Sequence, residues 1–154
     1  MHHARGCRLQ ALRDAADRKR RAHELLLQAR AALANNSPDE AMRLLQEALY
    51  LDPESAEIQA EKLVVDKKRR ALELMVEGLK QMKDDRYDDA AKTFSVALEW
   101  DSGNHDIITL EEESERKAKA KKLEALGDVQ VASDHLGEAI AYYDDALALW
   151  PDSR

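Results

Sequence analysis

The chain has 154 residues and a formal net charge of −7, with 25 Ala and 21 Leu against only 12 Val, Ile and Thr combined. Helix formers outnumber β-branched residues so heavily that a sizeable sheet is ruled against, while a hydrophobic fraction of 44% is too high for a disordered chain. One cysteine, Cys7, excludes an intramolecular disulfide framework and a four-cysteine zinc site.

In chain order, residues 1–6 read as a disordered leader or tag remnant. A long helix then runs to the turn Asn35-Asn36-Ser37-Pro38. Ser37-Pro38-Asp39-Glu40 has the spacing of a capping box with Pro at the first helical position, so it predicts the start of a short helix ending near Leu51. Asp52-Pro53 punctuates the chain. From Ala56 to Lys83 only Gly78 disfavours a helix, which predicts about 28 continuous residues, roughly 42 Å long. Asp84-Asp85-Arg86 turns the chain into a second short helix ending near Trp100, and Asp101-Ser102-Gly103 closes it. A third long helix reaches Ser133-Asp134-His135, and a third short one ends near Leu149, before Pro151.

This pattern is an internal repeat. Asp39-Glu40-Ala41, Asp88-Asp89-Ala90 and Gly137-Glu138-Ala139 open equivalent segments spaced by 49 residues. The same register aligns Ala22, Ala71 and Ala120; Leu25, Leu74 and Leu123; Ala48, Ala97 and Ala146; and Leu9, Ile58 and Ile107. Three gapless units, 7–55, 56–104 and 105–154, therefore form one continuous repeat domain of all-α class.

Counted from Ala71, the second unit places Leu74, Gly78, Tyr87, Ala90, Phe94 and Ala97 at a distinctive spacing. The third matches with Leu123, Leu126, Gly127, Ala139, Tyr143, Ala146 and Pro151, and the first with Leu25, Ala29, Ala41, Leu45, Ala48 and Pro53. These positions resemble the tetratricopeptide repeat (TPR) family. Small residues at the crossing points let antiparallel helices approach, and large ones fill the gap between them. The resemblance implies an α-solenoid of three helix-turn-helix repeats in a right-handed array. The family period is about 34 residues. The additional 15 here precede the first motif helix in each unit, at Cys7–Arg21, Ala56–Arg70 and His105–Lys119, and predict elongated first helices.

In the TPR family the first helices line a concave groove that binds peptides or helices. Carried over position by position, the resemblance implies His23, Leu26, Leu27, Arg30, Leu33 and Ala34 in the first unit, and Leu72, Met75, Val76, Leu79, Met82 and Lys83 in the second. In the third it implies Lys121, Glu124, Ala125, Asp128, Val131 and Ala132. The first two units offer an apolar, Met-containing stripe beside Arg30 and Lys83, suited to an amphipathic helix or apolar peptide. The residues expected at the groove are Leu26, Arg30, Leu33, Leu72, Met75, Val76, Leu79, Met82, Lys83, Lys121 and Asp128. Leu26, Arg30 and Val76 depart from the pattern that grips chaperone C-terminal carboxylates, so a chaperone-tail adaptor is not expected.

No Gly-rich phosphate loop, Gly-x-Ser-x-Gly or His-Glu-x-x-His motif is present. Glu111-Glu112-Glu113 splays around a helix rather than converging, and the N-terminal Met1-His2-His3 reads as leader rather than a copper or nickel chelate. No enzyme activity, metal or cofactor is expected. Basic blocks recur around Arg18 and Arg21, Lys67 and Arg70, and Arg116 and Lys119. They form either a positive stripe for an acidic partner or solvated helix faces with pairs such as Asp17–Arg21 and Asp66–Arg70. Without neighbouring aromatic residues for base stacking, nucleic acid is not an expected partner. No stretch approaches the roughly 18 apolar residues of a membrane span, so the expected setting is the cytoplasm.

The function expected is a non-catalytic scaffold that binds a partner protein. The alternative is a self-assembly module, or a fragment of a longer array. The third short helix favours that alternative, because Ile140, Tyr142, Tyr143, Leu147, Leu149 and Trp150 give it an apolar face with no polar cap to cover it. A homo-oligomer through this C-terminal face is therefore a second expected partnership.

Overall fold

The computed structural model describes residues 2–152, and all the secondary structure among them is helical. Long and short helices alternate: α1 His2–Ala34, α2 Pro38–Leu51, α3 Ala56–Lys83, α4 Tyr87–Trp100, α5 His105–Ala132 and α6 Leu136–Leu149. The ends recur with the sequence period, since α1, α3 and α5 stop at residues 34, 83 and 132. The segments 58–70 and 107–119 are helical throughout, so both extensions are continuous with the helices they precede.

Each long helix stops by the same backbone device. Asn36, Asp85 and Asp134 adopt φ of 57°, 58° and 60°, the left-handed region that Asn and Asp tolerate better than most side chains. Around Asn36, the Ser37 N–H donates to the Ala32 carbonyl and the Asn36 N–H to the Leu33 carbonyl. The bonds Arg86 to Gln81 with Asp85 to Met82, and His135 to Gln130 with Asp134 to Val131, repeat this closure. Carbonyls that the helix end would leave unpaired are satisfied, and the chain reverses within three residues.

At the other end, Ser55 Oγ accepts from the Ile58 N–H and Asn104 Oδ1 from the Ile107 N–H, capping α3 and α5. The capping box expected at Ser37 does not form. Pro38 does sit at the start of α2, but the Ser37 side chain makes no cap bond. Its backbone is already committed to closing α1, with φ −114° and ψ 68°.

Disorder expected at 1–6 is not what the described residues show. Met1 lies outside the described residues, but α1 begins at His2, so residues 3–6 form its first turns. Ala4 and Arg5 favour helix, and Gly6 costs only about 1 kcal/mol relative to Ala.

The chain forms two compact units, Met1–Arg69 and Arg70–Arg154, rather than breaking at the repeat borders. The division falls inside α3 because its two halves have different work. In the first unit, Ile58 and Val65 of α3 close a core with Ala22, Leu26 and Ala29 of α1 and Ala41, Leu45 and Ala48 of α2. In the second, Ala71 and Leu74 from the other half of α3 pack with Ala90, Phe94 and Ala97 of α4 and Ile107 of α5. Burying Phe94 alone is worth about 1.5–3 kcal/mol.

Helices cross closely where the repeat carries its smallest residue. Gly78 lies against the ring of Phe94, and Gly127 against the ring of Tyr143. The same position in the first unit is Ala29, with Leu45 as the counterpart of the two rings. The smaller partner leaves room for a methyl group.

Candidate partner-binding surface

At 3.6 residues per turn the expected groove residues share a broad face of each long helix, and one edge of that face meets the core. In the first unit Leu26 is 1% exposed and belongs to the core, which removes it from any surface. Leu33 packs half-buried against the same core. The next residue, Leu27, is the exposed one.

Arg30 is exposed, but its guanidinium is engaged with α3. Nε donates to Glu61 at 3.0 Å and an NH2 group to Glu57 at 3.1 Å. The pairing is exposed and screened by solvent, and it fixes which way the guanidinium points.

In the second unit the same helical geometry sorts the α3 residues into two sets. Met75 and Met82, seven apart, turn inward with Ala71, Leu74 and Gly78, and both pack against the core. Val76, Leu79 and Lys83 form the adjoining stripe, where Val76 is 64% and Leu79 42% exposed and Lys83 reaches solvent. Leu72, half-buried, lies along this second stripe one turn before Val76. The expected stripe therefore divides: the methionines are half-buried against the core, and Val76 and Leu79 are exposed.

Lys121 and Asp128 on α5 are also committed within the second unit. Lys121 Nζ donates to the Asp85 carbonyl at 3.1 Å and lies 5.8 Å from the centre of the Tyr87 ring. Asp128 accepts a 2.6 Å bond from the Tyr143 hydroxyl, and this bond, with Asp128's charge, holds the phenol above its ordinary pKa.

The basic residues Arg18, Arg21, Lys67, Arg70, Arg116 and Lys119 are all exposed. Two have local partners: Arg70 pairs with Glu73 and Arg116 donates to the Leu149 carbonyl at 2.6 Å. The expected pairing of Asp17 with Arg21 is replaced by a 2.7 Å bridge to Arg20, and Arg70 reaches forward to Glu73 rather than back to Asp66.

Two further features stand out in the second unit. Trp150, expected on an open end face, packs edge-on against Tyr87 with ring centres 5.3 Å apart. Lys117 Nζ lies 5.1 Å from the Trp150 ring and 5.4 Å from the Tyr87 ring, an arrangement attractive through the ring quadrupoles. Burial, together with the bond from its hydroxyl to Asp85, pushes the Tyr87 phenol above its ordinary pKa. The second feature is an open cleft of about 300 Å³ between α5 and α6, whose lining includes Glu124, Asp128, Tyr143, Leu147 and Trp150. Among the described residues, no three His, Cys, Asp or Glu side chains are grouped to hold a metal ion. No helix among the described residues is long and apolar enough to cross a membrane.

Compared with known proteins, the chain matches no family model and no curated protein sequence.

Proposed function

We propose that this chain is a non-catalytic scaffold of TPR type that binds an apolar peptide or amphipathic helix of a partner protein through its long helices. The observation that carries this reading is the α3 stripe. Val76 and Leu79 expose apolar side chains on a helix whose other face is packed into the core, and Lys83 extends the stripe with a positive charge. An apolar strip flanked by a cation, held by a rigid helix, fits a partner helix that presents apolar anchors beside an acidic group. The small-against-large crossings at Gly78–Phe94 and Gly127–Tyr143 support the TPR-type reading, since they are where that family needs its small residues.

The experiment is a selection of helical peptides on the intact chain, followed by anisotropy titrations against Val76→Glu and Leu79→Glu. Binding should weaken by about tenfold or more in each, with the thermal transition unchanged because both residues are exposed. Peptides that bind both variants as well as the parent would rule this stripe out.

A further inference from the structure

Leu9, Ile58 and Ile107 occupy one repeat position near the start of the three long helices. Ile58 is buried in the core beside α2, and Ile107 is buried beside α4. Leu9 on α1 is 58% exposed. One turn further on, Leu110 of α5 packs against the α4 core, while its counterpart Leu12 is 57% exposed. α1 therefore carries the apolar plug that α3 and α5 insert into the preceding hairpin, and carries it in the open.

The opposite end of the repeat shows the matching vacancy. Ala71, Phe94, Ala97 and Leu98 belong to or pack on the core that Ile107 closes. Their counterparts 49 residues on, Ala120, Tyr143, Ala146 and Leu147, line the open cleft between α5 and α6. Leu136, Ile140 and Leu147 leave the surrounding α6 face apolar and exposed.

Charge follows the same logic. Across the first internal joint, Arg30 of α1 binds Glu57 of α3. Transposed along the repeat, the Arg30 position becomes Asp128 and the Glu57 position becomes Arg8, so the pair is reversed in sign and still opposite. Asp128 uses Oδ1 for the Tyr143 hydroxyl, which leaves its second oxygen to accept. More broadly, residues 5–21 carry seven basic and two acidic side chains, whereas 124–152 carry seven acidic ones and no Lys or Arg.

We propose that the chain self-associates head to tail, with Leu9 and Leu12 of α1 in one copy entering the α5–α6 cleft of a second copy and Arg8 meeting Asp128. The joint repeats between molecules the contact that α2 makes with α3, and α4 with α5, inside the chain. Its two surfaces differ, so the contact is heterologous and propagates from copy to copy. It uses neither Val76 nor Leu79 and stands apart from the peptide-binding stripe.

Sedimentation velocity over a concentration series at low and high salt tests this, using the full chain and the variants Leu9→Glu and Leu147→Glu. Both positions are exposed, so each variant should keep its helicity. The parent should grow beyond a dimer with concentration and dissociate with salt. Each variant alone should be monomeric, its association weakened by about tenfold or more. Mixed together, they should form a one-to-one dimer that grows no further, because one supplies an intact cleft and the other an intact α1. That complementation also shows both variants to be folded. Val76→Glu should associate like the parent. A parent that stays monomeric at high micromolar concentration, variants that associate like the parent, or a mixture that remains monomeric would each overturn the proposal.

Discussion

Gly78 on α3 faces Phe94 on α4 so closely that a Cβ at Gly78 would fall 2.5 Å from Phe94 Cε1. Phe94 is fully buried, so its ring has no free space to swing into. Gly127 and Tyr143 stand in the same relation, also at 2.5 Å. The glycine that interrupts an otherwise strong helix former run is thus a packing requirement, and it appears where the partner is an aromatic ring rather than Leu45.

Gly78→Ala should therefore destabilise the protein, although alanine favours a helix by about 1 kcal/mol. Overpacking a closed core costs about 1–3 kcal/mol, and the immobile ring places this site toward the upper part of that range. Gly78→Ala combined with Phe94→Leu copies the Ala29–Leu45 pair of the first unit. Urea denaturation of the two single variants and the double should show a favourable coupling of roughly 1 kcal/mol. Strict additivity would mean that the two positions do not share the space described.

Leu26 and Val76 separate core from surface. Leu26→Glu should lower stability by more than about 3 kcal/mol, since it places a carboxylate in an apolar core without a partner. Val76→Glu should stay within about 0.5 kcal/mol of the parent. Thermal melts followed by circular dichroism distinguish the two, and similar losses at both would place Val76 in the core as well.

Ser114 is fully buried, and its hydroxyl has no hydrogen-bond partner among the described residues. The corresponding residue of α3 is Val65, fully buried in the first core. Removing an unpaired hydroxyl should help: Ser114→Ala and Ser114→Val are each expected to raise stability by roughly 1 kcal/mol. Chemical denaturation reads this directly. If Ser114→Ala gains stability and Ser114→Val loses it, the site lacks room for the larger side chain.

Tyr87 gives a pH dependence with a defined sign. Burial first, and the bond to Asp85 second, raise its phenol above the ordinary value of 10.0. The folded state therefore holds this proton more tightly than the unfolded chain. Its contribution is fully present below pH 10.0 and is lost as pH rises through the raised folded value. In Tyr87→Phe that component should vanish, flattening the alkaline limb of a stability profile measured by urea denaturation. An identical limb in parent and variant would show that Tyr87 does not report on folding.

The helices themselves were legible in the residues because helix ends are local chemistry. Asn36, Asp85 and Asp134 tolerate positive φ, Ser55 and Asn104 offer cap acceptors, and the stretches between contain few residues that oppose a helix. The 49-residue recurrence then carries each local solution into the next unit. Burial is different, because it depends on which distant helix covers a given face. Leu26 and Met75 stand at one repeat position beside Leu27 and Val76 at the next, and all four are apolar. Only packing buries Leu26, half-buries Met75 against the core and leaves Leu27 and Val76 at the surface. The Tyr87–Trp150 contact joins residues that no repeat spacing connects, and it forms because α4 and α6 both pack on α5, with Lys117 over both rings. The 49-residue period shows that Leu9 matches Ile58 and Ile107. That Leu9 is exposed while the other two are buried was decided by tertiary structure, since a side chain leaves water only when another element arrives to cover it.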